Sequence, residues 1–457
     1  MKIHLLLSLL IAAWMNNPLS GQNTNPENTP VEGFIPNQHF CGTETPDAKW
    51  DDWFNEQVEF FKQGQNKAQL NYIIPVVVHV IHGGQAVGTA PNISQAQINS
   101  QITVLNQDYA GTGYNANTVP SVFANLVANT GVQFCMALKD PQGNSLPEPG
   151  IDRINFVSKG WPNPASRTSK TNFKTYIDDT IKPNTIWDPT KYMNVWVTDI
   201  NGQIGLLGYA TFPAGSTLTG LSGTGSVTKD GFWCWAKSFG TTGSVNAPYN
   251  KGRTATHEIG HWLGLRHISG DALCGNDYCN DTPPQNGGHD NCPNGLNWGV
   301  PPSGWQGTTG LCSGNTIGQE MFMNFMDYTD DAYKYMFTPD QTTRIQTAMA
   351  NGTYRKLLGT HGLCISNFGI NDNLLENNIC LFPVPSNGNI SVSFQLPFAM
   401  DLSCTLINAL GQEVWQKTEK NIQHNTLELK LGTYEKGFYF FKISNGNTTT
   451  VKKIILD

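Results

Sequence analysis

Charge of either sign is scarce in this sequence, and basic residues are the scarcer kind. Charged side chains make up 14% of the 457 residues, whereas soluble domains typically carry about 25%. Acidic residues outnumber basic ones by 35 to 28, which gives a formal net charge of -7. A chain without an excess of Lys and Arg lacks the electrostatic footprint of a nucleic-acid-binding protein. We therefore expect no nucleic-acid partner.

Long hydrophobic runs are also missing. The apolar stretch from Leu5 to Trp14 is shorter than the ~18 residues that a membrane-spanning helix needs. It follows Lys2, and small residues come after it, as in a cleaved secretory signal peptide. We therefore predict a signal peptide over residues 1–21, no transmembrane segment, and export to the cell surface or the medium.

Ten cysteines form an even set, which permits disulfides in an exported chain. Four of them, Cys274, Cys279, Cys292 and Cys312, lie close together in the sequence and allow three pairings. We favour Cys274 with Cys312 and Cys279 with Cys292. A second, structural zinc is the alternative for these thiols.

The stretch HEIGHWLGLRH, residues 257–267, contains the densest group of histidines in the chain. Four residues apart on a helix, His257 and His261 project from one face and can hold one ion. A continued helix would carry His267 away from that face. Gly264 can adopt a left-handed conformation that ends the helix and brings His267 back. Three imidazoles with one open position indicate a catalytic zinc site, because structural zinc normally has four protein ligands.

Glu258 adjoins the first predicted ligand and supplies a base. Zinc lowers the pKa of a bound water toward about 7 and polarises a carbonyl, while Glu258 takes the proton and returns it to the leaving amine. This is peptide-bond hydrolysis. The short HExxH pattern also occurs by chance on solvated helices, but Gly264 and His267 at these offsets complete the metzincin signature.

The flanking segments suggest how the chain is organised. Polar, Pro- and Asn-rich residues 22–65 have the composition of a propeptide. Residues 73–83 read as a buried strand, and residues 94–109 as a helix behind a sheet with Ser94 as N-cap. Residues 205–213 read as an edge strand, which can bind the extended backbone of a substrate.

The pattern changes towards the C-terminus. We place the catalytic unit at 66–362 and a polar linker at 363–378. Residues 379–457 contain five or more short alternating segments, which predict a small antiparallel β-sandwich. The predicted class is α+β: a metzincin zinc-protease domain, with a twisted mixed sheet, backing helix and active-site helix, followed by a small all-β antiparallel sandwich.

These motifs together resemble the pappalysin group of metzincin metalloendopeptidases, peptidase family M43, which includes ulilysin and mirolysin. The resemblance spans residues 35–350. Besides the histidine motif it rests on CNDTPPQ (279–285), NCP (291–293) and NFMDYTDD (324–331).

The resemblance implies roles for further residues. Met326 would be the Met-turn residue that forms an apolar base beneath the zinc histidines, and Tyr328 would donate to the oxyanion of the tetrahedral intermediate. Asp277, Asp281 and Thr282 would bind calcium, although the same residues could simply cap turns.

The family's acidic pocket points to Asp331 or Asp330, which would select Arg or Lys in the residue after the scissile bond. A solvated turn carboxylate is the alternative. Cys41 resembles a propeptide cysteine that keeps some relatives latent by ligating the zinc. A disulfide partner for Cys41 is the alternative. This chain departs from ulilysin-like members in carrying Tyr333 near the position where a cysteine often follows the Met-turn.

The last 80 or so residues resemble the C-terminal sorting domain of cargo for the type IX secretion system of Bacteroidetes. FPVPSNG (382–388) and GTYEKGFYFFKI (432–443) contribute most to this resemblance. A glycan- or surface-binding sandwich is the alternative.

The sequence as a whole predicts a secreted zinc metalloendopeptidase that is made as a zymogen. Its predicted partners are protein or peptide substrates and the type IX secretion machinery. A non-catalytic surface adhesin on a protease-like scaffold is the alternative.

Overall fold

A computed structural model describes residues 41–64, 71–215, 221, 223–285, 287–289, 312–315, 320–364, 375, 378–445 and 449–457. The predicted signal peptide over residues 1–21 lies outside the described residues. Of the predicted propeptide, the described part is 41–64, which contains helix α1 (Ala48–Gly64). Within the described ranges, no helix combines the length and the apolar character needed to cross a membrane.

A six-stranded mixed sheet forms the centre of the larger unit. Its strands are β1 (Tyr72–His82), β2 (Val132–Met136), β3 (Ile151–Asn155), β4 (Met193–Thr198), β5 (Gly208–Ala210) and β6 (Phe232–Trp235). The order is β2-β1-β4-β6-β5, and β3 extends the same side of β1 as β2. Strand β1 is rich in Val and Ile and is buried along nearly all its length, as expected of a central parallel strand covered on both faces.

Strand β5 lies at the edge of this sheet and is the antiparallel member, paired with β6. It falls within the edge strand that the sequence predicts over 205–213. The backbone N–H of Gly42 donates to the carbonyl oxygen of Gly208 at 2.8 Å, and Cys41 forms a parallel bridge with Gly208. The segment before α1 therefore adds to the sheet at this edge.

Helices cover the sheet. They are α2 (Gln95–Tyr109), α3 (Lys170–Tyr176), which continues through a π-helical turn (Ile177–Ile181) into α4 (Lys182–Thr185), α5 (Arg253–Trp262) and α6 (Pro339–Asn351). Ser94 caps α2 as predicted, because its side chain accepts from the N–H of Gln97. Thr338 and Pro339 begin α6 with a capping box. The hydroxyl of Tyr109 at the end of α2 donates to Thr256 on α5 at 3.1 Å, which joins the backing helix to the active-site helix.

The described part of the predicted propeptide is packed as tightly as core. Trp50 and Phe54 on α1 are fully buried, and the Trp50 ring lies 4.9 Å from that of Phe212. The Trp50 indole N–H donates to the carbonyl of Pro213 at 2.8 Å. Helix α1 therefore docks on the catalytic unit beside its edge strand.

The C-terminal unit is an antiparallel β structure, which confirms the predicted class. Its strands are β7 (Ile379–Phe382), β8 (Asn389–Asn408), β9 (Glu413–Lys430), β10 (Gly437–Ser444) and β11 (Thr449–Leu456). Two of the short alternating segments in this region, 390–396 and 402–408, form one strand rather than two, because β9 pairs with both and the register shifts absorb the irregularity between them. Alternate residues such as Ile390, Val392 and Phe394 face the core.

Two disulfides join described residues. Cys274 pairs with Cys312, as predicted. Cys135 on β2 pairs with Cys364, 229 residues away, and this bond was not predicted from the sequence. Cys279 is buried, but its predicted partner Cys292 lies outside the described residues, so that pairing stays a prediction.

Candidate active site

The three histidines of the predicted zinc motif converge on one point. His257 and His261 lie on one face of α5, which ends at Trp262. Gly264 then adopts φ +88°, in the left-handed region, and the chain turns back. The Nε2 atom of His261 lies 3.1 Å from that of His257 and 3.0 Å from that of His267. The bend predicted at Gly264 therefore brings the third imidazole to the first two.

The second nitrogen of each ring fixes which atom is available as a ligand. His257 Nδ1 lies 2.7 Å from the carbonyl oxygen of Phe325, His261 Nδ1 lies 2.8 Å from that of Leu265, and His267 Nδ1 contacts the Asp271 carboxylate. Carbonyl oxygens only accept, so Nδ1 carries the proton and Nε2 presents a lone pair. Facing lone pairs in a buried site repel one another unless a cation lies between them. The residues present therefore fit a bound metal ion.

Cys41 supplies a fourth donor atom. Its Sγ lies 3.5 Å from His261 Nε2, and the ligand atoms of Cys41 and the three histidines all lie within 4.8 Å of one another. All four residues are buried. Three imidazole nitrogens and one thiolate give four donors, the number that tetrahedral zinc takes. The latency role of Cys41 stays a prediction.

Glu258 lies in the same cleft, between α5 and the edge strand. Its Oε2 accepts a hydrogen bond from the Thr43 hydroxyl at 2.8 Å and lies 3.6 Å from Cys41 Sγ. A Cβ on Gly208 would lie 2.6 Å from Glu258 Cγ, so this close approach requires glycine in β5. Burial raises the pKa of Glu258 to about 7, partly offset by the Thr43 hydrogen bond.

The Met-turn segment lies beneath and beside the histidines. Met326 is fully buried, and a Cβ on Gly260 of α5 would overlap its Sδ atom. The hydroxyl of Tyr328 lies 2.9 Å from His267 Nε2. Burial raises the pKa of Tyr328 well above its ordinary value, so this phenol keeps its proton at neutral pH. Met326 therefore packs against Gly260, the residue before His261, and Tyr328 contacts His267, while the roles predicted for both stay predictions.

Asp331 is fully buried rather than a solvated turn residue. Its Oδ2 accepts the backbone N–H of Lys251 at 2.8 Å and that of Arg253 at 3.2 Å, at the N-terminus of α5. Asp330 is also buried, and burial raises its pKa to about 6. Tyr333, the residue by which the sequence departs from the expected family pattern, is half-buried.

The three predicted calcium ligands divide into two places. The Thr282 hydroxyl lies 2.8 Å from Asp277 Oδ2, and burial raises the pKa of Asp277 to about 7. Asp281 instead accepts from the Thr338 hydroxyl at 2.7 Å and the Asp340 N–H at 2.8 Å, which caps α6. Calcium binding stays a prediction.

Sequence reasoning missed several residues that position the site. Asp271 contacts His267, and Thr43 contacts Glu258. A histidine ligand commonly donates its other N–H to a carboxylate. That rule predicts a partner for His267, but it does not choose among the several aspartates that follow the motif.

Four features define the class of this protein. They are a mixed sheet whose edge borders the active-site helix, two histidines and a glutamate on that helix, a third histidine brought back by a glycine turn, and a buried methionine next to them. The protein is a metalloendopeptidase of the metzincin type.

Comparisons with known proteins agree with this class. Residues 175–350 match the M43 peptidase family described as pregnancy-associated plasma protein-A, and residues 380–457 match a secretion system C-terminal sorting domain. An extracellular metalloprotease of Pyricularia oryzae is 30% identical over 61% of this chain and 75% of its own. One of Verticillium alfalfae is 27% identical over 69% of this chain and 89% of its own.

Solved structures give the same result. A promirolysin mutant from Tannerella forsythia is 32% identical, with a TM-score of 0.56, over 72% of this chain and 100% of its own. Mature mirolysin from the same organism, in complex with a cleaved peptide, is 34% identical, with a TM-score of 0.51, over 65% of this chain and 100% of its own.

The chain belongs to the pappalysin family, M43, of metallopeptidases, which confirms the resemblance found in the sequence. It is an extracellular metalloprotease that acts on peptide substrates, and its C-terminal sorting domain marks it for a secretion machinery. Family membership implies a metal ion at the site.

The contact between Gly260 and Met326 gives a first prediction. Gly260→Ala should lower the free energy of unfolding by about 1–3 kcal/mol, because the added methyl group overlaps the Met326 sulfur in a filled core. Chemical denaturation followed by tryptophan fluorescence measures this. Gly432→Ala, where a Cβ meets nothing within 4 Å, is the control. Equal stability of both variants would show that Met326 does not pack against α5.

Proposed function

We propose that His257, His261 and His267 hold a catalytic zinc ion in this metalloendopeptidase and that Glu258 is its general base. The observation that carries the proposal is the convergence of three buried Nε2 lone pairs beside a buried carboxylate. Zinc bound there supplies Lewis acidity towards water and the scissile carbonyl.

The chain's own residues perform the remaining steps. Glu258 accepts a proton from the attacking water and passes it to the nitrogen of the leaving amine. The phenol of Tyr328, which keeps its proton, donates to the carbonyl oxygen as negative charge develops on it. The backbone of β5 binds the extended substrate, as its present pairing with Gly42 illustrates. Asp271 holds the His267 ring in its ligating orientation.

The protein is made as a zymogen in which residues 41–43 block the cleft. Cys41 places its sulfur beside the histidines, Gly42 pairs with the substrate edge of the sheet, and Thr43 binds the general base. One short segment thus engages the metal ligands, the backbone edge and the base together. Removal of the propeptide frees all three.

Helix α1 anchors that blocking segment. Asp51 on α1 forms a buried ion pair with Arg266, and Arg266 Nη1 also lies 2.9 Å from Asp271. Because Asp271 contacts His267, the propeptide is tied to the same network that orients a metal ligand. Docking of α1 therefore supports the latent arrangement.

We further propose the division of the chain that the sequence predicts: signal peptide 1–21, propeptide 22–65, catalytic domain 66–362, linker 363–378 and sorting domain 379–457. The start of β1 at Tyr72 and the start of β7 at Ile379 support the two domain boundaries. Calcium at Asp277 and Thr282 belongs to this proposal as well, supported by two hard oxygen donors side by side.

The predicted preference for Arg or Lys after the scissile bond depends on an available carboxylate at Asp331 or Asp330. One Asp331 oxygen already accepts the backbone N–H groups of Lys251 and Arg253. A non-catalytic adhesin, the alternative from the sequence, has no use for a buried carboxylate beside three imidazoles.

Replacing the base tests the mechanism. Glu258→Ala should lower turnover on casein by about 10²-fold or more, because a general base typically contributes that much, while the zinc content stays near one ion per chain. Activity assays and elemental analysis on one preparation measure both. Glu148→Ala, which removes a carboxylate paired with Arg153 away from the cleft, is the matched control. Normal turnover in the Glu258 variant would refute the mechanism.

Replacing the cysteine tests latency. The uncleaved precursor carrying Cys41→Ala should show at least about tenfold more peptidase activity than the uncleaved wild-type precursor, because the thiolate no longer competes for the metal. Cys234→Ala, which changes a buried cysteine of β6, is the control. Equal activity of the two precursors, with intact chain length verified by mass spectrometry, would rule out Cys41 as the latch.

A further inference from the structure

A buried lysine lines the cleft beside the proposed metal site. Lys334 is 6% exposed and borders the same cavity as Tyr249, Thr254, His257, Glu258 and Tyr328. Among the described residues that line this cavity, Lys334 carries the one fixed positive charge, and neither Asp330 nor Asp331 belongs to the lining. A substrate side chain that enters this cavity therefore meets two ionisable groups of opposite sign, Lys334 and Glu258.

The backbone and side chain of Lys334 are both held in place. Its carbonyl oxygen accepts from the Arg253 guanidinium, and its ammonium donates to the carbonyl oxygen of Asp327 at 3.2 Å. An ammonium has three donors. Within the described part of the chain, that carbonyl is the one acceptor recorded for the Lys334 ammonium. Donor capacity therefore remains towards the cavity.

The carboxylates near Lys334 oppose the effect that burial has on its pKa. Burial lowers the pKa of Lys334, whereas the negative charges of Asp331, Asp327 and Asp330, in decreasing order of effect, raise it. One Asp331 oxygen, Oδ2, accepts the backbone N–H groups of Lys251 and Arg253, whereas its Oδ1 has no hydrogen-bond partner among the described residues. Asp327 binds His289 at 2.7 Å. These acids thus act as buried counter-charges, and the cation is the group presented to the cavity.

We propose that Lys334 selects substrates with an acidic side chain directly after the scissile bond. A carboxylate entering the cavity gains a charge-assisted hydrogen bond to the ammonium, whereas a guanidinium or ammonium meets a like charge. The inference rests on the proposed function, because the cavity adjoins the reacting groups only if His257 and Glu258 carry the chemistry. It opposes the basic preference that the sequence predicts from Asp331 and Asp330.

A matched set of peptides tests the selection directly on the processed, secreted protein. Quenched fluorescent peptides that differ only in the residue after the cut would carry Glu, Gln, Leu or Arg there, with the cut site verified by mass spectrometry. The value of kcat/KM for Glu should exceed that for Arg by about tenfold or more, as expected for one charge-assisted hydrogen bond. It should also exceed the value for Gln, which has the same shape without the charge.

Two lysine variants assign the effect to the side chain. Lys334→Met should reduce the ratio of Glu to Arg cleavage by about tenfold or more, while cleavage of the Leu peptide reports that the site remains folded. Lys251→Met is the control, because the backbone of Lys251 also binds Asp331 but its ammonium lies over the Tyr114 ring, outside this cavity. Its ratio should equal that of the wild type.

The outcomes separate the two proposals. If the wild-type enzyme cleaves the Leu and Arg peptides well and the Glu peptide poorly, the selection by Lys334 is wrong and the proposed function stands. If no peptide is cleaved after propeptide removal, the proposed function fails. If Lys334→Met misfolds, Lys334→Gln takes its place in the comparison of Glu with Arg cleavage. The wild-type preference also tests the inference by itself, because a wild type that prefers Arg overturns it.

Discussion

The Nε2 atom of His261 lies about 3 Å from those of His257 and His267 in a buried site, which is a repulsive arrangement without a cation, and the fold has to hold the three rings there. It does so by giving each ring a hydrogen-bond acceptor on its far side. The acceptors are the carbonyls of Phe325 and Leu265 and the Asp271 carboxylate. Each ring is thereby fixed in the tautomer that turns its lone pair inwards.

The helix that carries two of these rings is itself fixed at its start. Arg253 forms a buried ion pair with Asp108 of α2 at 2.8 Å, and Asp331 accepts the backbone N–H groups of Arg253, the first residue of α5, and of Lys251 just before it. Asp108 also accepts from the Thr256 hydroxyl at 2.8 Å. An acid at a helix N-terminus is favoured by the helix dipole as well as by the hydrogen bonds. The metal site therefore depends on a buried polar network on both sides of α5.

The segment from Met321 to Phe337 contributes both to the orientation of the histidine rings and to the fixing of α5. It supplies the Phe325 carbonyl, the Met326 side chain that packs against Gly260, the Tyr328 phenol and the Asp331 carboxylate in succession. The blocking residues before α1 engage the other side of the same site. The cleft, the histidines and the adjoining cavity therefore share neighbouring residues.

What the sequence alone determined is local in origin. Its signals act within a few residues of the chain: a spacing of four residues on a helix, a glycine free to adopt positive φ, and capping residues at Ser94 and Thr338. The histidine cluster, the edge strand and the β-rich C-terminal unit could therefore be predicted. The Cys274 to Cys312 disulfide was also predictable because both residues lie in one short cysteine-rich segment.

The tertiary structure alone decided which distant groups meet. It chose Asp271 over the other aspartates as the partner of His267, paired Cys135 with Cys364, and placed the Lys334 cation in the cavity while Asp331 turned to the helix. These outcomes depend on the relative positions of elements separated by many residues. Local spacing in the sequence does not predict these contacts, because they form only when the sheet, α5 and the Met-turn segment pack together.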